Sequence, residues 1–317
     1  MSKIGTYHQE QKDMTLAKLD AIINTQFKEV REFILSIAET TTPLTRLAYA
    51  RDIAHFFEFL AREDESFMDI PVDRIIPEDL NNIDEFTVNI YLSGMGNQSA
   101  SSRQRKLATL RSFFTYLFKK GKLEKNIMPN VDMPRKKEKP ITRLSDEEVQ
   151  KLLTLAQDPR DKTILILFLT TGMRVSELVG LNVSDVDLEN ASIRIIRKGG
   201  SQTILFLPNQ CVTQLVEYLD SVELPPESAL FLSREGERLG VRSVQNIVKH
   251  YAGQAAPLKR ISPHKLRSTF GTNLYRATGD IYVVADVLGH SDVNTTKKHY
   301  AAISEDTRRE AAKHVKL

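Results

Sequence analysis

Asn126–Arg143 reads NIMPNVDMPRKKEKPITR, and this stretch divides the chain. Pro129, Pro134 and Pro140 fall within it, and Arg135, Lys136, Lys137 and Lys139 crowd its centre. Proline locks φ, removes a backbone donor and pushes the preceding residue out of helical space, so no helical period survives here. The composition is that of an interdomain linker, placed at 131–141. At 317 residues the chain is long enough for two domains of ordinary size on either side of it.

Upstream the signals are helical. Residues 1–24 are polar and read as an N-terminal extension. From Phe27, FKEVREFILSIAE sets apolar residues at three- and four-residue spacing. Thr41 or Thr42 can cap a second helix, TPLTRLAYARDIAHFFEFLAR, with Pro43 in its first turn. A third follows PEDLNN, at 84–92. A fourth, ASSRQRKLATLRSFFTYLFKKG, stops at Gly121. Residues 25–130 therefore predict a helical domain with no strand.

The fourth helix is apolar along Leu107, Leu110, Phe113, Phe114 and Leu117. Arg103, Arg105, Lys106, Arg111, Lys119 and Lys120 flank that stripe. The chain's net charge is only +3, but residues 98–140 hold 12 Lys and Arg against 3 Asp and Glu. Residues 1–97 hold 9 against 17. A local basic excess suits a polyanion, and a helix packed on one side and basic on the other suits phosphate backbones. A solvated helix face beside a basic linker has the same composition.

Downstream the signals are mixed. Ser145 starts a helix at LSDEEV, with Glu148 as its capping-box partner. DKTILILFLTTG is an apolar helix ending at Gly172, and MRVSELVGL a short one after the break. SIRIIRKGGSQTILFLP predicts two strands joined by a Lys-Gly-Gly-Ser turn. Further helices follow at about 209–221, 240–254, 263–277, 280–288 and 292–302. The expected fold is mainly α with a small β-hairpin or sheet: a helical N-terminal domain, then an α+β domain over 142–317. No βαβ alternation, GxGxxG or phosphate-loop motif is present.

Several side chains here could carry chemistry. Arg174 sits at a helix start, where a guanidinium and free N–H groups suit a phosphate, and Glu177 is placed to brace it. Lys198 stands at the hairpin tip, in Arg197-Lys198-Gly199-Gly200. His264 and Arg267 are three apart on a helix that Pro263 can start, so they share a face and could handle a proton and an anion together. His290 follows a Leu-Gly turn, and Tyr300 falls on a short helix capped by Ser291 or Asp292. Each alone also reads as a plain surface or packing residue. The histidines lack metal-ligand spacing. The single cysteine, Cys211, leaves no intrachain disulfide. The N-terminus has no signal-peptide core and no apolar run spans a membrane, so a cytoplasmic protein is expected.

In chain order, TTGMRVSELVGL, the RKGG hairpin, SPHKLRSTFGTNLYRATGD, VLGH and NTTKKHY resemble the tyrosine recombinase (phage integrase-like) family. The resemblance spans nearly the whole chain. It implies a core-binding domain at 25–130 and a catalytic domain with a C-terminal tail at 142–317. It implies that Tyr300 attacks a DNA phosphodiester, forming a 3′-phosphotyrosyl link and releasing a 5′-hydroxyl. Arg174 and Arg267 would hold the non-bridging oxygens, and His264 would accept the tyrosine proton. Lys198 would protonate the leaving oxygen, His290 would hydrogen-bond the phosphate and Glu177 would orient the site. No metal or other cofactor is expected, because two arginines supply the charge. His290 and Tyr300 are ten apart, where the family pattern commonly has nine, and the extra residue falls in the turn before the tyrosine's helix.

With no room for an arm-site domain before residue 25, the resemblance is to compact Xer-like members. The expected function is site-specific recombination through a Holliday junction, in resolution of replicon dimers. Integration or excision of a mobile element, and type IB topoisomerase-like relaxation, are the alternatives. Expected partners are double-stranded core sites, a homo- or hetero-tetramer on synapsed DNA, and a DNA translocase or accessory factor, with no membrane.

Overall fold

A computed structural model describes residues 4–135, 142–197, 200–289, 292–294 and 296. Two compact units divide the chain, one built on Gly5–Lys139 and the other on Pro140–Leu317.

The first unit is helical: α1 (Ile4–Ile23), α2 (Lys28–Ser36), α3 (Pro43–Glu63), α4 (Pro77–Leu80), α5 (Glu85–Gly94) and α6 (Ala100–Lys119). Polar side chains start three of them by taking orphan N–H groups. Thr42 accepts from Thr45 at 3.3 Å, with Pro43 at the first position of α3. Asp84 accepts from Thr87 at 2.8 Å and Ser99 from Ser102 at 3.1 Å. Gly121, at φ +66°, takes the left-handed turn after α6. The α6 stripe from Leu107 to Leu117 is buried against α3, where Phe27, Phe33, Phe56, Phe57, Phe113 and Phe114 form the core. Their rings meet mostly edge-on, as between Phe27 and Phe57 at 4.8 Å.

Two expectations are corrected here. The polar lead-in expected at 1–24 is helix α1 over Ile4–Ile23, and Leu16, Leu19, Ile22 and Ile23 join the core. Its core-facing apolar residues gather in the last turns, too few to show a period across the whole segment. The stretch expected as linker from 131 also begins inside this unit. Val131 is buried, Arg111 donates to its carbonyl, and the Gln104 amide donates to the Pro134 carbonyl at 2.7 Å. Carbonyls that a proline-broken chain cannot satisfy itself are met by donors on α6.

The second unit runs α7 (Asp146–Leu155), α8 (Pro159–Thr171), α9 (Val175–Val179), β1 (Val186–Asp187), β2 (Ser192–Ile196), β3 (Gln202–Phe206), α10 (Asn209–Asp220), α11 (Val241–Ala255), α12 (Pro263–Thr278) and α13 (Ile281–Leu288). Ser145 and Glu148 form the expected capping box, at 3.3 and 2.7 Å. α8 is buried from Ile164 through Phe168, apolar all round, and so lies at the centre with α10 and α12 packed on it. The sheet is antiparallel in the order β1-β2-β3, with Ser192 opposite Phe206 and Ile196 opposite Gln202. The short β1, too brief for a periodic signal, was not expected. The helix expected at 292–302 lies mostly outside the described residues.

Candidate active site

Gly172 ends α8 in the left-handed region, at φ +62°. A Cβ there would come within 2.3 Å of the Phe270 ring and 2.8 Å of Leu288, so only glycine lets α12 and α13 approach this turn. The chain passes through buried Met173 to Arg174, the residue before α9. Both oxygens of the buried Glu177 carboxylate hold Arg174, one taking its Nη1 at 2.8 Å and the other its backbone N–H at 2.6 Å. Of the N–H groups at this helix start, that of Arg174 is thus committed to Glu177, and its guanidinium is left partly exposed. Its Nη2 also donates to the Gly289 carbonyl at 3.2 Å.

Arg267 projects from the second turn of α12 and is buried, 4% exposed. It donates Nη1 to the Gly172 carbonyl at 2.5 Å and Nη2 to the Leu288 carbonyl. One strand away, Arg197 follows β2 and donates Nη2 to the Val287 carbonyl at 2.7 Å. Three successive carbonyls, of Val287, Leu288 and Gly289, therefore each receive a different arginine. The physical reason is the end of α13: its last carbonyls lack intrahelical donors and carry the negative end of the helix dipole. Glu177 adds a full negative charge beside Arg174. A cradle of this kind concentrates positive charge at one turn without leaving it uncompensated.

His264 lies in the first turn of α12 and is exposed, while Arg267 on the same helix is buried. The shared face thus runs from solvent into the arginine cradle. Lys198, His290 and Tyr300 lie outside the described residues. Arg197 is a site residue that the sequence pattern does not single out, although it belongs to the RKGG turn. The available signal was a second long cation at the root of a hairpin.

The basic residues of α6 are only partly at leisure. Arg105 pairs with buried Asp52, which also accepts from Thr109 at 3.1 Å. Lys106 is buried with its ammonium 6.0 Å from the Tyr91 ring centroid, and burial holds its pKa below the ordinary lysine value. Arg111 is spent on the Val131 carbonyl and Arg103 is half-buried. Lys119 and Lys120 stand exposed at the C-terminal end, with Lys120 Nζ 5.9 Å from the Tyr116 ring centroid.

Residues 142–307 match the model of the phage integrase family, and residues 30–121 that of the phage integrase N-terminal SAM-like domain. The chain belongs to the phage integrase family. This integrase-family chain is 33% identical over 288 residues to tyrosine recombinase XerC of Pelobacter propionicus, covering 88% of itself and 92% of that protein. To XerC of Caldanaerobacter subterraneus subsp. tengcongensis it is 35% identical over 302 residues, covering 89% and 85%. XerH recombinase, bound to a palindromic difH substrate after cleavage, shares the fold at a TM-score of 0.69 and 24% identity, covering 87% of this chain and 81% of that one. The integrase-family chain is a Xer-like tyrosine recombinase, an enzyme that cleaves and rejoins DNA in site-specific recombination. Relatives that are recombinases favour this activity over relaxation of supercoils.

Proposed function

We propose that the protein joins short double-stranded core sites in a tetramer and resolves replicon dimers in the cytoplasm, with the core sites gripped by the α6 end of the first unit. Tyr300 attacks the scissile phosphorus, the P–O5′ bond breaks, and the DNA 3′ end is left esterified to the tyrosine. The tyrosine proton passes to His264, and the leaving 5′-oxygen takes a proton from Lys198, a step worth roughly 10²–10⁴-fold in rate. Arg174 and Arg267 meet the charge that builds on the non-bridging oxygens, with Glu177 orienting Arg174 and His290 hydrogen-bonding the phosphate. Because the phosphotyrosyl ester keeps the energy of the bond it replaced, a 5′-hydroxyl from the partner duplex reverses the step and no nucleotide is consumed. A DNA translocase or accessory factor is the partner class that would set when exchange proceeds.

One observation carries this reading. Arg174 and Arg267, far apart in sequence, meet at the single turn Leu288–Gly289, immediately before His290. Preorganised guanidinia at one turn suit a phosphoryl centre. A nicked suicide substrate tests it: the wild type accumulates a covalent protein–DNA adduct and Tyr300→Phe forms none. An adduct with the Phe variant would remove Tyr300 from the role of nucleophile.

A further inference from the structure

Arg197 ties two parts of the catalytic unit together with one residue. Its backbone closes the turn between β2 and β3, donating to the Ser201 carbonyl at 2.8 Å and accepting from the Gly200 N–H at 3.0 Å. Its side chain leaves that turn and reaches the end of α13, donating to the Val287 carbonyl at 2.7 Å. There the guanidinium covers Gly289. A Cβ at that glycine would fall 1.3 Å from Nη1 and 2.4 Å from Cζ, so the absent side chain of Gly289 is the space Arg197 fills. Gly289 is at φ +62°, which favours glycine for a second reason. Arg197 is close enough to Glu177 and Arg174 to feel both charges, although burial is the larger influence on it and lowers its pKa. The hairpin root and the end of α13 are thus linked through one fork, which stands near the Arg174–Glu177 pair.

From this geometry we infer that Arg197 is a positioning residue for strand cleavage: it holds the root of the hairpin against the Val287–Gly289 turn, and so sets where the next residue, Lys198, delivers its proton. The inference rests on the reading of Lys198 as general acid. Arg197 touches no reacting atom in this account. Its contribution is to restrict the hairpin to the placements in which proton delivery is productive. Misplacement by about an ångström can cost on the order of 10²-fold.

The test compares two leaving groups. An ordinary phosphodiester needs its 5′-oxygen protonated, whereas a 5′-bridging phosphorothiolate expels a thiolate that does not. Single-turnover cleavage is measured on both for the wild type, Arg197→Ala, Arg197→Lys and Lys198→Ala. The expectation is that Arg197→Ala slows cleavage of the ordinary substrate by about 10–100-fold and recovers to within a few-fold of wild type on the sulfur substrate. Arg197→Lys, with a single ammonium centre in place of a planar fork, should fall between wild type and alanine on the ordinary substrate. Circular dichroism establishes that the alanine variant is folded, and if it is not, Arg197→Lys carries the same comparison. Equal slowing on both substrates, or no slowing on either, overturns the inference. If Lys198→Ala is not recovered by sulfur, the general-acid reading itself fails. If Lys198→Ala recovers and the Arg197 variants do not, only the role given to Arg197 fails.

Discussion

Gly172 is a single missing methyl on which the site's geometry depends. Its left-handed backbone lets α8 stop and the chain turn to Arg174, while its bare Cα admits Phe270 and Leu288. Its carbonyl also takes the Nη1 of Arg267. Gly172→Ala should therefore destabilise the protein by about 2–5 kcal/mol, combining left-handed strain with overpacking. Urea denaturation measures this, and a change below 0.5 kcal/mol, on the order of an innocuous surface substitution, would mean that the turn relaxes freely. Glu177 makes the complementary point. A buried carboxylate beside one arginine is costly unless its oxygens are met, and here both are, by one residue's side chain and backbone. Cys211 shows the limit of reading a residue type alone: it is fully buried, and burial pushes its thiol up to about 11, so it is a packing residue.

Among elements, α6 carries two jobs on one cylinder. Its apolar stripe builds the core of the first unit, and its basic residues divide between internal bonds and solvent. Asp52 on α3 is the internal anchor, 2% exposed, holding Arg105 and Thr109 of α6. Asp52→Ala removes the acceptor of half-exposed Arg105 and of Thr109, which keeps its bond to the Arg105 carbonyl, and should cost about 0.5–1.5 kcal/mol, the net worth of a typical hydrogen bond. Thermal unfolding of the variant checks it, and an unchanged midpoint would show the pair to be idle. α13 gives the second element-scale lesson. A helix of eight residues ending in a left-handed glycine exposes its last carbonyls, and three arginines from elsewhere answer them. The helix end is what gathers the cations, so the arrangement follows from backbone electrostatics as much as from the arginines.

For the whole molecule, the uneven charge is the feature that reaches beyond any element. A basic segment over 98–140 in a chain of net +3 suits a partner that is a dense polyanion. DNA affinity should fall as salt rises, and Lys119→Ala with Lys120→Ala should flatten the slope of log affinity against log salt by about one per lysine. A titration at several salt concentrations reads this directly, and an unchanged slope would take the end of α6 out of the phosphate contacts. What could be read from the chain itself was whatever is local. The cap at Thr41 or Thr42, settled by the structure as Thr42, the cap at Ser145, the glycine stops at Gly121 and Gly172 and the hairpin at RKGG follow from short-range sterics and hydrogen bonding, so residue order alone determined them. The pairing of Arg174 with Glu177 was legible for the same reason, because three residues along a turn are neighbours in space. Local pattern had no access to the helix in the polar lead-in or to the stretch from Val131 to Pro134 held by α6, since both depend on contacts with distant partners. The cradle at Val287–Gly289 is of the same kind. Which arginine meets which carbonyl depends on how α8, α12, α13 and the hairpin pack, and only the tertiary structure decided that Arg197 belongs beside Arg174 and Arg267.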